Sequence, residues 1–192
     1  MRRSYQILLL VCVFIFSGCS AVRVNTHAAG ARPPLLLGST ADKKVLVLWG
    51  TAWRSNQKEP ARREKIASGA ITSFFNSMAG RGSFTVRRSV DGIDALSMSD
   101  SQILRSETVV SGKYQKVVVL RVEELGPTLA FYLSPILWAG SSQVVVRIRV
   151  LDVAAASLDS DVVLAWEKGG PFVIRGAKYL EGSLSAALAS VF

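Results

Sequence analysis

The segments "KVVVLRVEEL" (residues 116–125) and "QVVVRIRVLD" (residues 143–152) decide the fold. In the first, Val118, Leu120 and Val122 fall on one face and Val117, Val119, Arg121 and Glu123 on the other. In the second, Val144, Val146, Ile148 and Val150 stand opposite Val145, Arg147 and Arg149. Side chains alternate across a strand and β-branched residues fit its pleated surface, so both segments read as strands of one sheet. "DVVLAWE" (residues 161–167) adds a third, and "SFTVRRSV" (residues 83–90) a fourth. "VLVLWG" (residues 45–50) does not alternate. A continuous apolar run closed by glycine specifies a strand covered on both faces.

Between these strands the period changes. Pro60 suits a first helical turn. After it, Ile66, Ala70, Ile71, Phe74, Phe75 and Met78 recur at three- and four-residue spacing, with Gly80 and Gly82 as stop signals. Asp100 to Glu107 reads as a short helix, and Ala177 to Phe192 as a last one with Leu180, Leu184, Leu188 and Val191 inward. The order βαβαβββα predicts an α+β domain over residues 43–192, a single mixed β-sheet with helices packed mainly on one face. The uncharged stretch "LGPTLAFYLSPILWAGSSQVVV" (residues 125–146) has the length of a membrane span. Pro127, Pro135 and three small polar or glycine positions at 140–142 argue against a spanning helix. It reads as a long connection with Phe131, Tyr132, Leu133, Ile136, Leu137 and Trp138 at its tip. Folded back, the tip completes the core. Exposed, it is a patch that docks a partner or dips into a membrane, and so many large apolar residues outside any period favour exposure.

"VRIRVLDVAAASLDSDVVLAWE" (residues 146–167) resembles a hairpin of small bacterial envelope lipoproteins with the fold of the TolB N-terminal domain and CsgG. The matching positions are Arg149, Val150, Leu151 and Asp152, then Val163, Leu164 and Trp166. The turn "AAASLDSD" is longer than the Thr-Gly turn of that group, and Ala165 separates Leu164 from Trp166. The resemblance implies a binding or assembling envelope protein rather than an enzyme. Because the motif is structural, it speaks to fold more than to function.

The N-terminus gives an address. Arg2 and Arg3 precede an apolar run from Ile7 to Phe16, and Ser17-Gly18-Cys19 follows. The run matches a signal-peptide core and is too short to span a bilayer. The arrangement resembles a bacterial lipoprotein signal, with residues 1–18 removed, Cys19 lipidated and residues 19–42 a tether containing Pro33-Pro34. Three acyl chains would hold the protein at a membrane, since two already anchor stably. Ser20 in place of aspartate implies, by the same resemblance, travel to the outer membrane with the domain facing the periplasm. The other cysteine, Cys12, lies in the discarded run, so the mature chain has no disulfide, thiol nucleophile or cysteine metal site.

Removing residues 1–18 leaves 174, with 21 basic residues against 14 acidic, and lowers the formal charge from +9 to +7. At an envelope address nucleic acid is not the expected partner. Anionic polysaccharide, lipopolysaccharide phosphates and peptidoglycan carboxylates are, beside solubility alone. Arg54, Lys58, Arg62, Arg63 and Lys65 cluster around the start of the first helix, where positive charge opposes the macrodipole. They are the candidate anionic-partner contact. Arg147 and Arg149 are expected to pair across the hairpin with Glu123.

Catalytic patterns are sparse. His27 is the sole histidine and lies in the tether, so no triad or histidine metal cluster forms in the domain. "GGPF" (residues 169–172) lacks phosphate-loop spacing and reads as a strand-end turn. Glu123 and Glu124, adjacent on a strand, are expected on opposite faces. No cofactor or metal is implied. Three classes remain: an assembly or accessory subunit of an export, secretion or cell-envelope complex, as a homo-oligomer or with other envelope proteins; a monomeric module regulating a cell-wall synthase or binding an anionic polymer; and, least supported, a hydrolase using isolated carboxylates.

Overall fold

The structure is a computed structural model that describes residues 20–30, 35, 43–55, 57–89, 95–131, 138–171 and 173–192. Its elements are β1 (Ala21–Gly30), β2 (Lys44–Thr51), α1 (Pro60–Ser77), β3 (Ser83–Arg88), α2 (Asp100–Arg105), α3 (Glu107–Gly112), β4 (Lys116–Phe131), β5 (Trp138–Asp152), β6 (Ser157–Pro171) and α4 (Leu180–Ala189). The six strands form one mixed sheet in the order β1-β6-β5-β4-β2-β3. β2 runs parallel to β3 and β4, and the remaining neighbours are antiparallel.

Two cores flank the sheet, and the alternation read from the sequence sorts residues between them. Val118, Leu120 and Val122 of β4 and Val144, Val146, Ile148 and Val150 of β5 meet α1 and α4 on one face. Val117 and Val119 turn to the other face, against Ile103, Leu104 and Val109 of the short helices α2 and α3. β2 feeds both: Val45, Val47 and Trp49 join the first core, Leu46 and Leu48 the second. That double burial is why it carries no polar alternation. Helix α1 opens on Pro60 and buries Ala67, Ala70, Ile71 and Phe75. Phe75 is wholly buried and packs within 5.1–5.5 Å, centroid to centroid, of Phe74, Phe84 and Phe192. The α2 start is closed by a capping box between Ser99 and Gln102.

Several expectations are corrected. The segment read as a tether contains β1, ten residues paired antiparallel with β6, so the domain begins before Lys43. An edge strand is held by its ladder bonds and needs no buried face. Every described side chain from Ser20 to Ala28 is exposed, which is why no period marks the strand. Leu35, further along the same segment, is buried and its N–H donates to the Val191 carbonyl at 2.5 Å.

The long connection at 125–146 is also shorter than expected. β4 and β5 stay paired out to Phe131 and Trp138. Pro127 is tolerated because β2 leaves β4 at Val122, and the loop after β2 accompanies β4 only as far as Leu125, through the Gln57 amide. Beyond that, among the described residues, β4 is an edge, where a missing N–H costs no ladder bond. β6 likewise reaches Pro171, so Gly169 and Gly170 lie in a strand rather than a turn. The helix expected at 100–107 is two helices separated by Ser106.

Candidate functional site

Past the helices, β4, β5, β6 and β1 continue as a four-stranded extension. Thr128, Ser141, Gly169 and Ala21 share one row across it. Three residues further out, Phe131 and Trp138 form the last pair of β4 and β5. Ser20, the first described residue, precedes Ala21 and lies at this same end. Its hydroxyl accepts a hydrogen bond from Arg175 Nη2 at 3.0 Å. The Arg175 guanidinium and the Lys178 ammonium stand 5.3 and 5.0 Å from the Tyr179 ring. Leu129 is 55% and Ile174 79% exposed nearby. The end of the sheet therefore combines cations, aromatic rings and open aliphatic groups.

The segment carrying Ile174 and Arg175 is fixed by a close approach. A Cβ built on Gly140 would lie 2.0 Å from the Val173 carbonyl oxygen, so only glycine lets the chain after β6 cross over β5 there. On the opposite face of the extension lies a cavity of about 310 Å³, with Arg23, Thr128, Ser141, Glu167, Gly169 and Gly170 among its lining. The Thr128 and Ser141 hydroxyls are hydrogen-bonded to each other at 2.5 Å.

Of the residues read as an apolar tip, Trp138 is half-buried at the start of β5 and Phe131 closes β4 by its backbone. Tyr132, Leu133, Ile136 and Leu137 lie outside the described residues, as does Cys19.

The basic set around α1 is largely engaged within the protein. Arg54 Nη1 binds Glu124 at 2.9 Å and its Nη2 is 4.0 Å from Glu123. Arg62 approaches Glu59 at 3.4 Å. Arg63 is buried, with Nη2 3.8 Å from Glu59 and with Nε and Nη1 lacking a hydrogen-bond partner among the described residues. Burial pulls its guanidinium below the usual value, against the attraction of Glu59. Lys58 and Lys65 are exposed and make no ion pair among the described residues. The five cations thus do not form one open patch.

Carboxylates are similarly committed. A bulge between Val122 and Glu124 breaks the alternation, so Glu123 and Glu124 both reach Arg54 instead of opposite faces. Glu123 also lies 3.5 Å from Arg121. Arg147 does not pair with Glu123 but grips Asp161 with two bonds, at 2.9 and 2.5 Å. That pairing holds the Asp161 carboxyl below its ordinary range and raises Arg147. Arg149 binds Asp100 at 2.5 Å and the Ala95 carbonyl at 2.9 Å, fastening α2 to the sheet. Lys116 sits between Asp159 at 2.9 Å and Asp152 at 3.1 Å. Burial lowers its basicity, but hydrogen bonds to both carboxylates outweigh it and raise the ammonium overall. Asp152 also accepts from the Ala155 N–H at 2.8 Å, which shapes the β5–β6 turn, where Ala156 adopts φ 51°. The residues behind the hairpin resemblance are thus structural: Arg149 and Asp152 tie elements together, and Leu151 and Trp166 are core. His27 is not in a tether but on exposed β1, opposite Val163. Among the described residues no group of three or more His, Cys, Asp or Glu is placed to hold a metal, and no helix is long and apolar enough to cross a membrane.

No protein-family model and no curated protein matches the chain. Solved structures are similar to it at low identity. PelC, a dodecamer from Paraburkholderia phytofirmans, is 14% identical with a TM-score of 0.46, covering 88% of this chain and 97% of its own. The lipoprotein GNA1162 from Neisseria meningitidis is 14% identical with a TM-score of 0.42, over 77% and 96%. A putative neuraminyllactose-binding hemagglutinin homolog from Helicobacter pylori is 10% identical with a TM-score of 0.44, over 85% and 82%. None of these likenesses assigns a role to a residue of this chain.

Proposed function

We propose that the protein is a non-catalytic envelope lipoprotein, anchored at the outer membrane through acylated Cys19, whose periplasmic domain serves as an assembly or accessory subunit of an export, secretion or cell-envelope complex. The observation that carries this reading is the place of Ser20. The residue after the proposed lipid site is fastened by Arg175 at the end of the sheet to which β4 and β5 also extend. A lipid on Cys19 would hold that end against the bilayer, with Arg175, Lys178 and Tyr179 at the height of the headgroups, where aromatic and cationic side chains are favoured. The opposite end, with α2 and α3, would project into the periplasm. β1 and β3 close the sheet as its two edges, and their outer backbone groups give a second copy or another envelope protein a strand to pair with. The hairpin resemblance to TolB N-terminal-domain and CsgG-like lipoproteins is part of the same proposal.

Metabolic labelling with palmitate, membrane fractionation and native mass in mild detergent test it together. The expected result is a labelled membrane protein in a defined multimer, with the label lost and membrane association weakened in Cys19→Ser. An unlabelled protein in the soluble fraction would overturn the anchoring, and a monomer in both forms would overturn the assembly role. The cavity favours a second reading, a monomeric binding module for a cell-wall enzyme or an envelope ligand.

A further inference from the structure

The cavity on the sheet extension has chemistry that neither anchoring nor assembly uses. Arg23 and Glu167 stand directly opposite across β1 and β6. Facing Cα atoms of an antiparallel pair are about 4.5–5.5 Å apart, and opposite charges so placed attract. Yet among the described residues neither side chain has a hydrogen-bond or ion-pair partner, and both line the same cavity. A cation and an anion are therefore open side by side. One row nearer the tip, the paired Thr128 and Ser141 hydroxyls add a hydrogen-bonding edge, and Gly169 and Gly170 put no side chain in the way. A volume of about 310 Å³ suits a small ligand.

We propose that this cavity binds a phosphoethanolamine headgroup, its phosphate against Arg23 and the hydroxyls and its primary ammonium against Glu167. A purely anionic ligand would meet the Glu167 charge, and a purely cationic one the Arg23 charge. A zwitterion with its charges two carbons apart satisfies both. A primary ammonium donates hydrogen bonds to the carboxylate, whereas a quaternary one has none to give. The source is the membrane itself, so the inference rests on the membrane-facing reading. The Phe131–Trp138 pair lies three residues beyond Thr128 and Ser141, which is about 10 Å along the strands. Apolar groups at an interface sink about 5–10 Å, into a headgroup layer about 5–8 Å thick on each side, so the outer edge of the cavity at Thr128 and Ser141 reaches headgroup level. Arg23 and Glu167, two residues further in, stand about 7 Å above that edge, facing a headgroup that rises into the cavity.

The full-length protein in mild detergent is titrated with glycerophosphoethanolamine, glycerophosphocholine and glycerophosphoglycerol. Separately, the Cys19→Ser chain is floated with phosphatidylcholine vesicles with and without phosphatidylethanolamine. Saturable binding is expected for the ethanolamine compound, at least tenfold weaker for the other two, and weakened at least tenfold in Arg23→Gln and in Glu167→Gln. Both substitutions are outside the two cores, and circular dichroism checks that each variant is folded. Flotation is expected to increase with phosphatidylethanolamine in the parent and not in the variants. Headgroup binding without flotation would keep the cavity assignment and overturn the membrane as its source. Flotation indifferent to both substitutions and to ethanolamine, with no binding in the titration, would overturn the cavity assignment and leave the membrane-facing end intact.

Discussion

Gly140→Ala and Gly182→Ala make the same chemical change and should move stability in opposite directions. At Gly140 the new methyl group would sit 2.0 Å from the Val173 carbonyl oxygen and 3.2 Å from its carbon. Carbon and oxygen cannot approach so closely, and both partners are backbone or rigidly attached to it. The segment at 173–176 must lift, and with it Arg175, which fastens Ser20. Overpacking of this kind costs about 1–3 kcal/mol. For a domain of this size each kcal/mol corresponds to about 2–4 °C in Tm, so a fall of about 2–12 °C is expected. At Gly182, inside α4, an added Cβ meets nothing within 4 Å. Alanine there should stabilise by about 0.5–1 kcal/mol by restricting the unfolded chain and favouring the helix. Thermal unfolding followed by circular dichroism reads both, and hydrogen exchange reads the loosening at 173–176 and at β1. A Gly140→Ala protein as stable as the parent, with unchanged exchange there, would refute the argument that the chain crosses β5 at that point.

Three further outcomes follow from the packing and the ion pairs. Phe75→Ala empties the centre of the aromatic cluster between α1, β3 and the C-terminus and should cost about 3–5 kcal/mol in a denaturant titration, with no change in the sheet's far end. Asp161, bonded to Arg147, and Asp152, bonded to the Ala155 N–H and Lys116, both have carboxyls depressed in the folded state. Their contribution is complete above the unfolded value near 3.9 and is lost as pH falls through the folded values, so stability should drop on acidification below about pH 4. Asp161→Asn should flatten that slope. Arg149→Met removes the bonds to Asp100 and Ala95 while keeping much of the side chain's bulk, and should raise hydrogen exchange in α2 before it changes the rest of the domain.

The parts of the fold legible in the sequence are those in which burial follows a local period. Val118 to Val122 and Val144 to Val150 announce their faces because α1 and α4 bury one side of them, while the other side carries Arg121, Arg147 and Arg149 outside the core. Phe75 and Leu184 announce theirs because α1 and α4 each bury one stripe. β1 is silent because its side chains are exposed and its stability comes from pairing with β6, more than a hundred residues away. The bulge at Glu123 is silent for a different reason. "RVEEL" alternates acceptably either way, and only the register against Val145 and Val146 shifts Glu124 to the side of Arg54. The same holds for the candidate site. Trp138 and Phe131 stand out as large apolar residues near a proline-broken segment. Arg23 and Glu167 acquire meaning only when strands distant in sequence place them in one cavity. In the basic run around α1, the spacing of Glu59 to Arg62 and Arg63 is that of helix neighbours and is legible in the sequence, but the approach of Glu123 and Glu124 to Arg54 comes from a strand some seventy residues away and is not.

The central claim, that the end of the sheet holding Ser20 faces the membrane, has a direct test in depth. With residues 1–18 removed and Cys19 acylated as proposed, the chain would contain no free thiol, so a cysteine introduced at exposed Leu129 or at exposed Val110 would be the sole site for a spin label. Leu129 is near the outer end of β4, and Val110 lies in α3, just before the opposite end of that strand. The twelve residues from Val117 to Leu129 span about 40 Å. With the protein anchored in vesicles, the account predicts a Leu129 label at headgroup depth, relaxed by oxygen and shielded from a water-soluble nickel complex, and a Val110 label fully open to nickel. Equal nickel access at both positions, or shielding at Val110 alone, would contradict it.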